Sequence, residues 1–360
     1  MKIVIRAGGV GTRLWPISRE KEPKQFHKFI GNDTLLEQAI ARVAPIVNSA
    51  DIYVSTSHHT AHLIRERHHE ILPQNIIIEP ARKDTAAAIG LESIILSQKD
   101  PESIVASLGS DHEVKRTAEF QRMLQLAEEF VNRHPAYIIP IGIRPLRPDS
   151  GYGYIQYEKV LDTFQGKNLY QVNRFTEKPS EEQARIFLEQ GNYLWNANMF
   201  VWKVSTILSL YEKHLPAMYA QLMEIKKALG TKEEREIIEK IYPQMEKVAV
   251  DYGIIEKTSQ IAVLAADIGW NDIGDWSRLK DEIANSEKDN VVIDADNLSL
   301  KTSNTLIYSA QKNKMVVTIG LENTIIVDTE DALLVCDKYH AAEVKDVVQK
   351  LKERKKNHLL

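Results

Sequence analysis

Cysteine is nearly absent from this chain of 360 residues: Cys336 is the single one, so no intramolecular disulfide can form. A reducing compartment is the natural setting for such a sequence. Long apolar runs are missing too, with no stretch approaching the ~18 consecutive apolar residues of a membrane span. The first residues, Met1 to Gly9, reach glycine too early to act as a secretion signal. A cytoplasmic protein without a membrane partner is expected. There is also no excess of positive charge: 46 Lys and Arg face 50 Asp and Glu, for a net charge of −4 and a pI near 6.3. That balance argues against a general nucleic-acid binder, which carries a basic stripe, but leaves room for a local basic pocket around a small anion. No His/Cys cluster has zinc-site spacing. His58-His59 and His68-His69 lie in polar, helical surroundings and are expected to be solvated. Cys336 closes the apolar run Ala332–Cys336 and reads as a packed thiol rather than a nucleophile.

What remains is ordinary for a soluble globular protein, with 43% hydrophobic and 27% charged residues. The length suggests about two domains, each able to bury a core without metal or disulfide support. Lys2 to Ala7 reads as a buried strand ending at Gly8-Gly9. Apolar positions at Leu35, Leu36, Ala39, Ile40 and Val43 predict a helix over 33–47, capped by Asp33 or Thr34. Strands are predicted at Asp51–Ser55, Asn75–Glu79, Ser103–Leu108 and Ala136–Ile143, with helices near 60–72, 85–98 and 117–133 between them. This alternation predicts an α/β fold with a Rossmann-like, mostly parallel mixed sheet. Ligands of such sheets sit at the carboxyl ends of the strands. The segments at Gly8, Glu79 and Asp111 all follow predicted strands, which groups them in one expected site.

From about Asn290 the texture changes to short β-rich pieces at 291–293, 305–308, 315–319, 323–327 and 332–336. They predict a small C-terminal β-domain, in the form of a few rungs of a β-helix, although no clean repeat is visible. The expected division is a catalytic domain over 1–285 and a β-rich domain over 286–360. A charged amphipathic helix over 341–356 closes the chain, which is expected to fray from Lys355.

The chemistry concentrates first in Gly8-Gly9-Val10-Gly11-Thr12-Arg13-Leu14-Trp15-Pro16, continuing to Pro23-Lys24-Gln25-Phe26. Glycines after a strand let the backbone turn and approach a ligand, and successive amide N–H groups form an anion-binding concavity. Arg13 can fork onto phosphate oxygens and Lys24 can place a compact charge beside them. The spacing is neither a Walker A loop nor a clean GxGxxG. On loop chemistry alone, a glycine-rich turn with surface cations is the competing reading.

The run GGVGTRLWPISREKEPKQF resembles the signature of sugar-1-phosphate nucleotidyltransferases. Its Leu-Trp-Pro, Ser-Arg and Pro-Lys-Gln-Phe pieces are similar to the bacterial mannose-1-phosphate guanylyltransferases. Further matches run in family order from Gly8 to Trp276, and more weakly through the β-rich region. Glu79-Pro80-Ala81-Arg82-Lys83-Asp84-Thr85-Ala86 resembles the base-binding Glu-Pro-x-x-Arg-Asn-Thr-Ala, with Lys83-Asp84 in place of Arg-Asn. Ser107 to His112 resembles Pro-Ala-Asp-His, and Trp270-Asn271-Asp272-Ile273-Gly274 resembles Trp-x-Asp-x-Gly. On the sugar side, Gly151–Ile155, Phe175-Thr176-Glu177-Lys178-Pro179 and Trp195–Phe200 resemble family elements, with Asn198 replacing a glycine. Asp251–Lys257 fits a further element, and fits a plain helix equally well.

The resemblance implies the nucleotide-diphospho-sugar transferase fold and the reaction of GTP with mannose 1-phosphate to GDP-mannose and pyrophosphate. It implies nucleotide contacts at Gly8, Gly9, Gly11, Thr12, Arg13, Glu79, Thr85 and Asp111. Sugar contacts fall at Gly153, Glu177, Lys178 and Asn196, and Mg²⁺ ligands at Asp111 and Asp272, with Asp267 and Asp275 as nearby alternatives. Arg13, Lys24 and Lys178 are the implied catalytic cations. A carboxylate at Glu79 can accept from the N1–H and exocyclic amine of guanine, a donor pair adenine lacks. Arg6 stands where the family has an apolar residue; it can reach phosphates or pair with an acid at the strand end, and the ion pair is the expected role. The competing readings are a nucleotidyltransferase for another sugar phosphate or nucleotide, and a non-catalytic nucleotide-sugar sensor. Retention of Arg13, Lys24, Asp111, Lys178 and Asp272 speaks against the sensor. The β-rich domain is expected to pair two copies in a homodimer, and no fused isomerase is expected.

Overall fold

The computed structural model describes residues 1–311 and 314–360. Two compact units emerge. The larger holds Met1–Gly8, Ile40–Gly109 and Val114–Trp270; the smaller holds Gly9–Ala39, Ser110–Glu113 and Asn271–Leu360. The units interleave along the chain.

The larger unit is built on a nine-stranded sheet: β1 (Lys2–Arg6), β2 (Ile52–Ser57), β3 (Ile76–Glu79), β4 (Ile104–Gly109), β5 (Ile139–Ile143), β6 (Tyr154–Phe164), β7 (Lys167–Thr176), β8 (Tyr193–Lys203) and β9 (Ala262–Ala266). Its order is β3-β2-β1-β4-β8-β5-β9-β7-β6. Strands β3, β2, β1 and β4 run parallel, as the strand–helix alternation predicts. Strand β8 is antiparallel to both β4 and β5, and β6–β7 is a long antiparallel hairpin, so the sheet is mixed. Ile3, Val4 and Ile5 are buried on both faces of β1, the pattern of a central parallel strand. Helix Asp84–Lys99 is apolar nearly all round and packs against helices Val204–His214 and Pro216–Ala228. Registers Arg6↔Ser55 and Ser57↔Glu79 bring Arg6, Ser55 and Glu79 to the carboxyl ends of adjacent strands.

The smaller unit carries six short strands: β10 (Val291–Ile293), β11 (Asp296–Leu300), β12 (Leu306–Ser309), β13 (Met315–Ile319), β14 (Thr324–Asp328) and β15 (Leu333–Asp337). Five were predicted; β11 was not, because Asp-Asn-Leu-Ser-Leu reads as polar loop. Strand β11 pairs in parallel with β13, and β12 with β14, both at an offset of 19 residues. Strand β10 pairs with β12 at an offset of 15, so the rung period is broken within its first copy and no repeat shows in the sequence. Polar side chains stack at the same offset, Ser299 on Thr318 at 2.8 Å and Asn304 on Asn323. Leu14, Trp15, Ile17 and Phe29 share one core with Trp276, Leu279, Leu306, Ile325 and Val344. Burial of these signature residues explains why Gly9–Ala39 groups with the C-terminal rungs.

Two expectations need correction. The end of the chain does not fray from Lys355: a helical turn at Asn357–Leu359 is held by the Trp15 indole, which donates to the Leu359 carbonyl at 2.7 Å. His68 is buried rather than solvated, 3.3 Å from Glu70, whereas His58, His59 and His69 are exposed. Cys336, by contrast, is the packed thiol expected: it is half-buried against the core, and burial pushes its thiol up to about 11. Among the described residues no helix is long and apolar enough to cross a membrane.

Candidate active site

In the smaller unit, Gly11 has φ of +70° and lies against the stem of Lys24; a Cβ there would meet Lys24 Cγ and Cδ at 2.7 Å. Glycine is thus required twice, for the left-handed backbone and for the close approach. The turn continues as Thr12–Leu14, which leaves Arg13 exposed and sinks Leu14 into the core. Ser18 donates to the Val10 carbonyl and Arg19 donates to Asp331 at 2.7 Å, so the Ser-Arg piece braces the loop. Pro23 precedes the tight turn Lys24–Phe26, whose three side chains are all buried.

Lys24 is the hub of this centre. Its Nζ lies 2.8 Å from Asp111 Oδ2 and 3.7 Å from Asp272 Oδ1, and donates to the Ile273 carbonyl at 3.1 Å. Burial alone would depress this ammonium, but Asp111 and Asp272 override it and raise its pKa. Burial likewise opposes the charge of Asp111, yet Lys24 and His112 beside it hold its carboxyl well below the usual carboxylate range. The alternatives to Asp272 are otherwise engaged. Asp267 is exposed and paired with Arg116. Asp275 caps helix Trp276–Ile283 by accepting from the Arg278 N–H at 3.0 Å.

Among the described residues no group of three or more His, Cys, Asp and Glu side chains could hold a metal. Magnesium does not need such a group, since it takes one or two carboxylates and completes its shell with water and phosphate oxygens. Asp111 and Asp272 fit that requirement: the Lys24 ammonium already stands as a cation between their hard oxygens.

In the larger unit, a second polar centre gathers around the carboxyl ends of β1 and β3 and residues Asn196–Asn198 within β8. Glu79 is buried, and its two oxygens accept from the Tyr242 hydroxyl at 2.7 Å and Ser55 Oγ at 3.4 Å. Burial raises its pKa against these hydrogen bonds and the charge of Arg6. A Cβ on Gly8 would stand 2.9 Å from Glu79 Oε1, so the carboxylate packs directly on the glycine backbone. Glu92 is buried behind it, and burial pushes its carboxyl up to about 7 against the pull of Arg6. Asn196 donates from Nδ2 to Asp251 Oδ1 at 3.0 Å, and its backbone N–H donates to the Gly153 carbonyl at 2.8 Å. Burial, then the charge of Glu177, pushes Asp251 up to about 7. Gly153 has no room for a side chain, because a Cβ would collide with the Glu177 carboxylate. Lys178 is exposed at φ of +47° and reaches Glu177 Oε1 at 2.9 Å.

The nucleotidyl transferase family model matches residues 2–289 of the chain, and the MannoseP isomerase/GMP-like beta-helix domain matches residues 289–351. Over 352 residues the chain is 34% identical to a mannose-1-phosphate guanylyltransferase from Escherichia coli, covering 97% of this chain and 75% of that one. It belongs to the mannose-1-phosphate guanylyltransferase family. A second relative of that description, from Klebsiella pneumoniae, is 33% identical over 98% of this chain and 74% of its own. The crystal structure described as a mannose-1-phosphate geranyltransferase from Thermus thermophilus aligns at a TM-score of 0.86 and 28% identity, over 98% of this chain and 99% of that one. The protein is thus an enzyme, a sugar-phosphate nucleotidyltransferase.

Within this family member, the implied site residues sort into two groups. Gly11, Lys24, Asp111 and Asp272 form the acid–lysine centre, with Arg13 and Thr12 on its turn and Gly9 exposed. Gly8, Glu79, Gly153, Glu177 and Asn196 belong to the second centre. Thr85 is turned elsewhere: its hydroxyl accepts from the Val250 N–H at 2.8 Å and braces the segment that presents Asp251. Asp251 itself is buried on a single helical turn, Val250–Gly253, and is held by the Asn196 amide. Tyr242 and Glu92 carry no motif. The signal for Glu92 is its place in the apolar helix run Ala86-Ala87-Ala88-Ile89-Gly90-Leu91, where a carboxylate has no solvent to face. Tyr242 gives no such signal.

Proposed function

We propose that this enzyme transfers a guanylyl group from GTP to mannose 1-phosphate, forming GDP-mannose and releasing pyrophosphate. The observation that carries this reading is the buried Lys24 held between Asp111 and Asp272 beside the glycine loop. A phosphate oxygen of the sugar phosphate attacks the α-phosphorus of GTP in line with the leaving pyrophosphate. That oxygen is already ionised at neutral pH, so the protein must align two polyanions and offset their repulsion rather than supply a base. A charge pair at 4 Å gains ~4 kcal/mol at an effective dielectric of 20 against ~1 kcal/mol in water. Lys24, and Arg13 on the exposed turn, supply cations for the triphosphate, and Lys178 supplies one for the sugar phosphate. Asp111 and Asp272 would hold Mg²⁺, which when bound neutralises phosphate charge.

On the sugar side, Asn196 and Glu177 receive hexose hydroxyls. On the base side, Glu79 retains acceptor capacity for guanine, since a carboxylate offers about four lone-pair sites and two are taken. Asn198, with its side chain where relatives of this pattern carry glycine, keeps another hexose 1-phosphate as the second reading. The catalytic assignment extends over 1–285 and the β-rich assignment over 286–360. The cytoplasm is the proposed location. A homodimer through the β-rich region is part of the same proposal, supported by an exposed apolar stripe of Leu298, Leu300, Met315, Val317 and Ile319 on paired strands β11 and β13.

Isotopic labelling tests the mechanism. With mannose 1-phosphate as acceptor, label at the α-phosphorus of GTP is expected in GDP-mannose and label at the γ-phosphorus in pyrophosphate. Recovery of γ-label in the sugar product would overturn the reading.

A further inference from the structure

Arg6 and Asn198 stand 192 residues apart in the chain and meet in the larger unit. The Arg6 guanidinium donates from Nη2 to the backbone carbonyl of Asn198 and to its Oδ1, both at 2.8 Å, and donates from Nη1 to Ser107 Oγ. The guanidinium sits among acids: its charge acts on Glu79, Glu92 and Asp251. It is therefore anchored from one side and grips Asn198 from the other.

Asn198 needs a grip. Its φ is +53°, a left-handed conformation that asparagine enters more readily than most side chains but less readily than glycine. In that conformation its backbone N–H donates to Asn196 Oδ1 at 3.0 Å. This bond fixes which way the Asn196 amide faces, because it places the oxygen toward Asn198 and the nitrogen toward Asp251, 3.0 Å away. One amide hydrogen and one oxygen lone pair of Asn196 stay available. The order of dependence is acids to Arg6, Arg6 to Asn198, Asn198 to Asn196.

We propose that Arg6 is a positioning residue for the hexose 1-phosphate, acting through Asn198 to orient the Asn196 amide toward the sugar. The inference rests on the reading of Asn196 as a sugar-hydroxyl contact. It makes Arg6 and Asn198 one functional unit: a glycine at 198 holds the left-handed backbone unaided and makes the cation dispensable.

A double-variant cycle tests this in the full chain by initial-rate kinetics with GTP and hexose 1-phosphate. In Arg6→Leu, KM for the sugar phosphate is expected to rise about ten-fold or more, the size of a lost charge-assisted hydrogen bond, and clearly more than KM for GTP, which Arg6 reaches only through its charge on Glu79. Arg6→Lys, which keeps the charge but not the fork, falls between parent and Arg6→Leu. The combined Arg6→Leu/Asn198→Gly variant is expected to match Asn198→Gly alone, a strong departure from additivity. Equal rises in both KM values, or a combined effect equal to the product of the single effects, would overturn the proposal. The cycle uses whichever hexose 1-phosphate the parent turns over, so a parent that ignores mannose 1-phosphate counts against the substrate reading and not against this one. A parallel cycle in Tm reads the same coupling without turnover: non-additive melting supports the unit, and additive melting contradicts it.

Discussion

Lys24 is an ammonium that burial disfavours and two carboxylates retain. Neutralising either acid should therefore disturb the centre without unfolding it. Asp111→Asn and Asp272→Asn are each expected to lower kcat by about 10²–10³-fold, as for removal of one preorganised electrostatic group. Circular dichroism should report an unchanged fold, and near-normal turnover of both variants at saturating Mg²⁺ would contradict the assignment. Glu92 offers a test in stability. Burial holds its proton in the native state up to about pH 7, against an ordinary value of 4.5. Between those values the native chain binds more protons than the unfolded chain, so stability falls as pH rises through the window. Glu92→Gln removes this loss. Its stability relative to the parent should grow by about 3 kcal/mol from pH 4.5 to pH 8 in denaturant titrations. A difference that stays constant across pH would show that Glu92 is already ionised. At this scale the motif residues were legible because glycine, lysine and aspartate stand out in short signatures. Tyr242 and the grip of Arg6 on Asn198 were not, because hydrogen bonds between residues 163 and 192 positions apart leave no local pattern.

The glycine loop is an element whose backbone and contents depend on each other. Gly11→Ala would strain a φ of +70° and push its Cβ into the Lys24 stem. A loss of about 1–3 kcal/mol is expected from the overpacking and strain, together with a fall in turnover as the ammonium leaves Asp111. Unchanged kinetics in Gly11→Ala would show that Lys24 is not held by the loop. Parallel strands β1 to β4 were legible from short buried runs alternating with helical segments, and β1, β3 and β4 end at or beside glycine or acid. The antiparallel insertion of β8 was not, since one strand's sequence does not state the direction of its neighbours. Strand β11 escaped notice because alternate residues face solvent and the others are polar, Asn297 and Ser299, satisfied by the neighbouring rung.

At the scale of the whole molecule, the interleaving of the units was invisible to a linear reading. Trp15 and Trp276 look like parts of a binding signature, and both are core: the Trp276 indole donates to the Trp15 carbonyl at 2.9 Å. The family membership was legible because signatures are spread over most of the chain. The exposed stripe on β11 and β13 carries the oligomer prediction. Leu300→Glu combined with Val317→Glu should convert a dimer to a monomer in sedimentation velocity, and a parent that sediments as a monomer would contradict the homodimer. Substrate choice is read directly from pyrophosphate release with each of the four common nucleoside triphosphates, paired with mannose, glucose, fucose and N-acetylglucosamine 1-phosphates. The highest kcat/KM is predicted for GTP with mannose 1-phosphate. A clear preference for any other pair would overturn the assignment to GTP and mannose 1-phosphate.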